Sequence, residues 1–209
     1  MDTVHAEPLT ENGAEEALYA GLRAANYTAL GVLLARAPGV ELLAQLAGLE
    51  TEGSAGGALD AAWRELVKAA GQADAAAVAD EYHNLFIGIG RGELVPYGSW
   101  YQTGFLMEEP LGALRGDLAR LGFARQDGVG EPEDHVAALC EVMAMLIADP
   151  DRTADYATQR QFYTTHLGPF VARFWRDLGQ ASNARFYRAV SRLGAAFTEL
   201  ETRYFSLPE

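Results

Sequence analysis

Apolar residues recur at intervals of three and four along almost the whole chain, and no stretch of four or more residues shows strand alternation with β-branched enrichment. A chain patterned this way can bury its apolar stripes only by packing helix against helix. The expected fold is therefore all-α, a single-domain bundle of about eight to ten helices over residues 1–209, with residues 1–12 as a disordered tail. The 209 residues are enough to bury a core without staples. Cys140 stands alone, which excludes an internal disulfide or a multi-cysteine zinc site and fits a reducing compartment.

The first helix is expected from about Gly13 to Arg36, with Asn12 as N-cap and Glu15 as its capping-box partner. Tyr19, Leu22, Asn26, Leu30 and Leu33 form its inner stripe. A short helix after Pro38 carries Val40, Leu43 and Leu46, and the glycine-rich stretch 50–57 reads as a loop or hinge. Leu59, Trp63, Leu66 and Ala70 mark a third helix, and Val78, Tyr82, Leu85 and Phe86 a fourth that starts after Asp74. From Gly88 the pattern fails for about sixteen residues, where four glycines and a proline predict a long loop. Leu111, Leu114, Leu118 and Leu121 then give a clean stripe ending at Gly122. Pro132 is expected at N1 of the next helix, which carries His135, Leu139, Val142 and Leu146 up to Asp149 and Pro150. Three more helices follow: one with Tyr156, Phe162 and Tyr163, one opened by Pro169, and one with Phe186, Val190, Leu193, Phe197, Leu200 and Tyr204.

Charge narrows the partners. Sixteen Lys plus Arg face 29 Asp plus Glu, a formal charge of −13, which disfavours nucleic acid and anionic lipid and favours a cationic or amphipathic partner. No segment approaches the roughly 20 apolar residues of a membrane span, and the acidic start lacks a secretory n-region, so stable membrane insertion is not expected and the cytoplasm is. Acyl-transfer and P-loop motifs are absent, and Lys68, the one lysine, lies mid-helix. Gly88-Ile89-Gly90-Arg91-Gly92 could hold an anion, yet it follows a helix and precedes a proline loop, the wrong context for a dinucleotide fingerprint.

Two segments carry candidate chemistry. In Glu131-Pro132-Glu133-Asp134-His135 the acidic residues can simply stabilise a helix N-terminus, with His135 satisfying a core hydrogen bond. Alternatively they face a groove and pair with a ligand's arginines. In Pro96-Tyr97-Gly98-Ser99-Trp100-Tyr101 the aromatics either pack onto the helices beneath or anchor a peptide partner.

The ordered series Glu81-Tyr82-His83-Asn84-Leu85-Phe86-Ile87-Gly88, Gly90-Arg91-Gly92-Glu93, Pro96-Tyr97-Gly98-Ser99 and Glu131-Pro132-Glu133-Asp134-His135 resembles the TorD/DmsD/NarJ family of redox-enzyme maturation chaperones. The segment from Phe162 to Phe170, and Phe186-Tyr187, resemble that family's last third, so the likeness covers about residues 15 to 205. It implies an all-helical, non-enzymatic protein, and no cofactor is expected. Such a protein would bind the twin-arginine signal peptide or the apoprotein of a molybdopterin oxidoreductase, prevent premature export and assist cofactor insertion. The Gly-Arg-Gly-Glu form resembles members that accompany formate dehydrogenases. The family often has Gly-Pro-Gly where Gly88-Ile89-Gly90 stands, and Pro-Trp at Pro169-Phe170.

The resemblance assigns the client-peptide region to Glu131, Pro132, Asp134 and His135 and to Pro96, Tyr97 and Ser99. On this reading Asp134, with Glu131 or Glu133, takes the arginines. Tyr82, Tyr97, Trp100 and Tyr101 line the apolar part of the groove, and His135 holds Asp134 and tunes release by protonation. Two other classes stand beside it: a helical-bundle metalloenzyme using His83, His135 and His166, and a structural subunit of a redox complex.

Overall fold

The computed structural model describes residues 11–51, 56–125, 130–148 and 155–207 of the 209. Ten α-helices follow one another in those residues: α1 (Glu11–Ala35), α2 (Val40–Ala47), α3 (Ala58–Gln72), α4 (Ala75–Tyr82), α5 (Gly98–Thr103), α6 (Glu109–Arg120), α7 (Val136–Ala148), α8 (Tyr156–Phe162), α9 (Gly168–Gln180) and α10 (Phe186–Ser206). Single π-helical turns, His83–Ile87 and Tyr163–Leu167, prolong α4 and α8. The all-α expectation holds, and the only strand-like contact among the described residues is one isolated bridge.

Helix α7 is apolar on nearly every side, and Val136, Leu139, Cys140, Met143 and Leu146 are all buried on it, which makes it the axis of the bundle. Helix α1 lies along α7, α10 packs on α9 and α3, and α5 sits against α6 and α9. At the α9–α10 crossing a Cβ on Gly194 would stand 2.4 Å from the Trp175 ring, so this glycine lets the indole lie directly on the α10 backbone. Asp74 caps α4 by accepting the Ala77 N–H at 2.9 Å, as its place before the helix predicts.

Two buried carboxylates join distant segments. Glu81 accepts the N–H groups of Arg185, Phe186 and Tyr187 at 2.8, 3.0 and 2.7 Å, and so caps the N-terminus of α10 from α4. Glu201 of α10 receives Arg23 of α1 through both oxygens, at 2.7 and 2.8 Å, with the Tyr27 hydroxyl at 3.0 Å. The guanidinium lies over the Tyr204 ring at 4.3 Å.

Several expectations are corrected. Tyr19 and Leu22 are exposed rather than on the inner stripe, while Asn26, Leu30 and Leu33 are buried. The reason is rotation: the buried face of α1 runs through Arg23, Tyr27, Leu30 and Leu34, so Leu22 faces solvent beside the buried Arg23, and Tyr19 lies against Tyr204 at the bundle's edge. Leu200 is likewise exposed on α10. Asn12 falls within α1, and its side chain lies outside the described residues, as do residues 1–10 of the expected tail, 52–55 of the expected hinge, and Asp149 and Pro150. The expected loop from Gly88 contains a six-residue helix, α5, because its first N–H groups find acceptors on a distant residue, as follows below.

Candidate functional site

The two candidate segments, some 35 residues apart in sequence, meet as one knot. Val136 N–H donates to the Pro96 carbonyl at 2.9 Å, and Gly98 N–H to the Asp134 carbonyl at 2.9 Å, so Tyr97 and His135 form an antiparallel bridge. The Asp134 side chain then turns inward, and its Oδ2 accepts the Ser99 N–H at 2.7 Å. That contact caps α5 with a carboxylate from outside it, which lets a glycine-bounded hexapeptide hold a helical turn.

Helix α7 begins at Val136, so Pro132 is not at N1 and the acidic residues do not fill a first helical turn. They form the turn before the helix, closed by His135 N–H on the Pro132 carbonyl at 3.1 Å. His135 is itself the N-cap: its carbonyl accepts from Leu139 and its Nδ1 from the Ala137 N–H, both at 3.1 Å. An Nδ1 that accepts carries no proton. Burial pushes the His135 pKa down to about 4, outweighing the attraction of Glu131 and Asp134. His135 thus neither holds Asp134 by a hydrogen bond nor titrates near 6.5.

Asp134 was expected to take an arginine, but it is only 3% exposed and serves the backbone of α5. Its Oδ1 is buried and makes no hydrogen bond. The surface carboxylates of the motif are its neighbours. Glu131 accepts the Tyr97 hydroxyl, whose pKa is pushed up by burial and then by that carboxylate. The Tyr97 ring stands edge-on to His135 at 5.1 Å. Glu133 receives Arg115 of α6 through Nε at 3.0 Å and Nη2 at 2.9 Å, with Arg125 at 3.7 Å on its other oxygen. Partial burial opposes its ionisation, yet the guanidinium of Arg115, with that of Arg125, holds its pKa below the ordinary carboxylate value.

These carboxylates sit on the rim of a cleft of about 440 Å³ between α6 and α7. Its floor is apolar, from Leu118, Phe123, Val142 and Met145, and its rim carries Glu131, Glu133 and Glu141 with Arg115 and Arg125. Sequence reasoning missed the two arginines and the floor. The signal available was Arg115 beside the leucine stripe of α6, and the apolar excess of α7, which leaves Met145 exposed.

The expected aromatic lining is dispersed. Tyr82 donates to the Leu34 and Ala35 carbonyls at 3.2 and 3.0 Å, closing the end of α1. Tyr101 packs on Phe170 and Phe174 of α9. Trp100 carries the Arg91 guanidinium 4.7 Å over its ring. Of the four, Tyr97 alone bonds to a residue of the cleft rim. The histidines of the metal reading also part company: His83 is exposed after α4, His135 caps α7, and His166 Nε2 meets Asp117 Oδ2 at 2.6 Å. Among the described residues no three His, Cys, Asp or Glu side chains are grouped to hold a metal ion. No helix of the described residues is long and apolar enough to cross a membrane.

A family model described as nitrate reductase delta subunit matches residues 53–176. The chaperone protein TorD of Vibrio atlanticus is 27% identical over 135 residues, 60% of this chain and 63% of that protein. TorD of Vibrio parahaemolyticus is 25% identical over 175 residues, 79% of this chain and 81% of that one. The chain thus spans somewhat under two thirds of the first relative's length. The crystal structure of a protein described as a redox enzyme maturation protein, from Archaeoglobus fulgidus, superposes with a TM-score of 0.55 at 17% identity, covering 95% of this chain and 99% of that one. That likeness establishes the fold.

Proposed function

The chain belongs to the TorD/NarJ family, whose nitrate reductase delta subunit model matches more than half of it, and on that premise we propose that it is a maturation chaperone for a molybdenum oxidoreductase. It works in the cytoplasm, catalyses no reaction, and binds the twin-arginine leader or the apoprotein of its client until the cofactor is in place.

One observation carries the reading. Glu133 already accommodates two guanidinium groups at the mouth of an apolar cleft, those of Arg115 and Arg125. A leader with paired arginines and an apolar run presents the same two chemistries, and Glu133 with Glu131 offers the acceptors while Leu118, Phe123, Val142 and Met145 take apolar side chains. The charge of −13 raises the encounter rate with such a cationic segment at low salt. Asp134 acts beneath the rim as a positioning residue, through the Ser99 N–H.

Calorimetric titration with a synthetic twin-arginine leader tests this. Glu133→Gln is expected to weaken binding about tenfold, the scale of one charge-assisted hydrogen bond. Asp134→Asn keeps an oxygen for Ser99 and leaves affinity near that of wild type. No binding of the leader, or equal affinity for wild type and Glu133→Gln at low and high salt, rejects the reading.

A further inference from the structure

Phe105, Leu106 and Met107 are three consecutive large apolar residues, 67%, 46% and 70% exposed, on the turn between α5 and α6. Single exposed apolar side chains are ordinary, but three in a row form a patch of the kind that marks an interaction site. This turn is not left loose. The Thr103 hydroxyl donates to the Ser99 carbonyl at 2.9 Å and accepts the Phe105 N–H at 3.2 Å, and the Ser99 hydroxyl accepts the Met107 N–H at 3.3 Å. Met107 has φ +62°, the one positive value at a non-glycine among the described residues, a conformation that is costly for a side-chain-bearing residue. Ser99 is wholly buried and is held in turn by Asp134. A run of hydrogen bonds thus leads from the acidic motif to a strained turn whose effect is to present three apolar side chains to solvent.

We infer that the Phe105–Leu106–Met107 tip is a second docking surface for the apolar run of the client's leader, beyond the cleft floor, with Asp134 as the residue that positions it; this rests on the leader-binding reading above. Charge decides the occupant. Glu108 and Glu109 follow the tip directly, are exposed, and make no ion pair among the described residues. An anionic membrane surface is repelled by them, and a second copy meeting the same patch would oppose carboxylate to carboxylate. An apolar segment flanked by arginines meets both features. The tip and the pairing with Glu133 are joined by one helix: Glu109 opens α6 next to the tip, and Arg115 lies six residues along it.

The test uses the full chain and two synthetic peptides: a leader with paired arginines and an apolar run, and the same leader with the apolar residues changed to Ser. The triple variant F105S/L106S/M107S is expected to bind the apolar leader at least tenfold more weakly than wild type. Both proteins are expected to bind the Ser peptide alike. Met107→Gly gives a second readout, since glycine relieves the positive φ: affinity for the apolar leader falls while the melting temperature holds or rises. Equal affinity of wild type and both variants for a leader that binds overturns the tip and leaves the leader-binding reading standing. Failure of wild type to bind either peptide removes both. Loss of self-association or of vesicle binding in the triple variant, with leader affinity unchanged, assigns the tip to a second copy or to a membrane and overturns the inference.

Discussion

Two of the arginine–glutamate pairings among the described residues stand in opposite settings. Arg23 and Glu201 meet at 2.7 Å with 5% and 1% of their side chains exposed, between α1 and α10. Arg115 and Glu133 meet at 2.9 Å with 50% and 17% exposed, between α6 and the turn before α7. Coulomb attraction is alike in kind, but the surroundings are not. The first pair is closed in by Tyr27, Tyr204 and Phe205, so neither charge has water to return to. The second lies at a cleft mouth, where water or another guanidinium can replace Arg115 at little cost. The same chemistry is a clamp where it is buried and an exchangeable contact where it is wet.

The comparison breaks most visibly at the buried pair. Glu201→Gln leaves Arg23 charged and uncompensated inside the bundle, and urea unfolding is expected to report a loss of about 3–5 kcal/mol. A loss under about 1 kcal/mol would put Arg23–Glu201 in the same class as the surface pair.

Acid sharpens the contrast at the motif itself. His135 is held at a pKa of about 4 in the folded chain, while an unfolded histidine titrates near 6.5. Between these values the unfolded state binds the extra proton, so stability rises with pH across the window, is complete above about 6.5, and is lost as pH falls towards 4. The change is at most about 3 kcal/mol. Burial lowers the His166 pKa to about 4 as well, so denaturant melts at pH 4.5 and 7 report both histidines, and His135→Asn, which keeps an acceptor for the N-cap, should reduce the slope without abolishing it. An unchanged slope in that variant would remove His135 as the cause.

The smallest effect on stability is expected at the exposed pair, where Arg115→Gln should change unfolding by no more than about 1 kcal/mol. Its effect on binding has the opposite sign from Glu133→Gln: with Arg115 removed, the Glu133 oxygen it held is open to the client's guanidinium while Arg125 stays on the other, and leader affinity rises a few-fold. Weaker binding in Arg115→Gln would make Arg115 a direct contact of the leader instead.

Much of the fold was legible in the amino-acid order. Asp74 and Pro169 opened helices where their chemistry predicts, and Gly122, at φ +77°, follows α6 as a C-terminal glycine should. The start of α7 was misplaced by four residues, because Pro132 fits a turn as well as it fits N1. Helix α5 was unreadable within its own segment, since its cap comes from Asp134. The candidate site was found as two motifs, but not the roles within them: Asp134 turned inward, Tyr101 joined α9, and Arg115 and Arg125 arrived unannounced at Glu133.

What sequence alone determined is the helical class, the order of the helices and the acidic character of the surface. These rest on spacings of three and four residues and on side-chain charge, both properties of short stretches of chain. Tertiary structure decided which carboxylate is buried, which is paired and which remains open to a partner. That choice depends on groups brought together from 18 to 178 positions away, as with Arg115 and Glu133 or Arg23 and Glu201, and no local period encodes it.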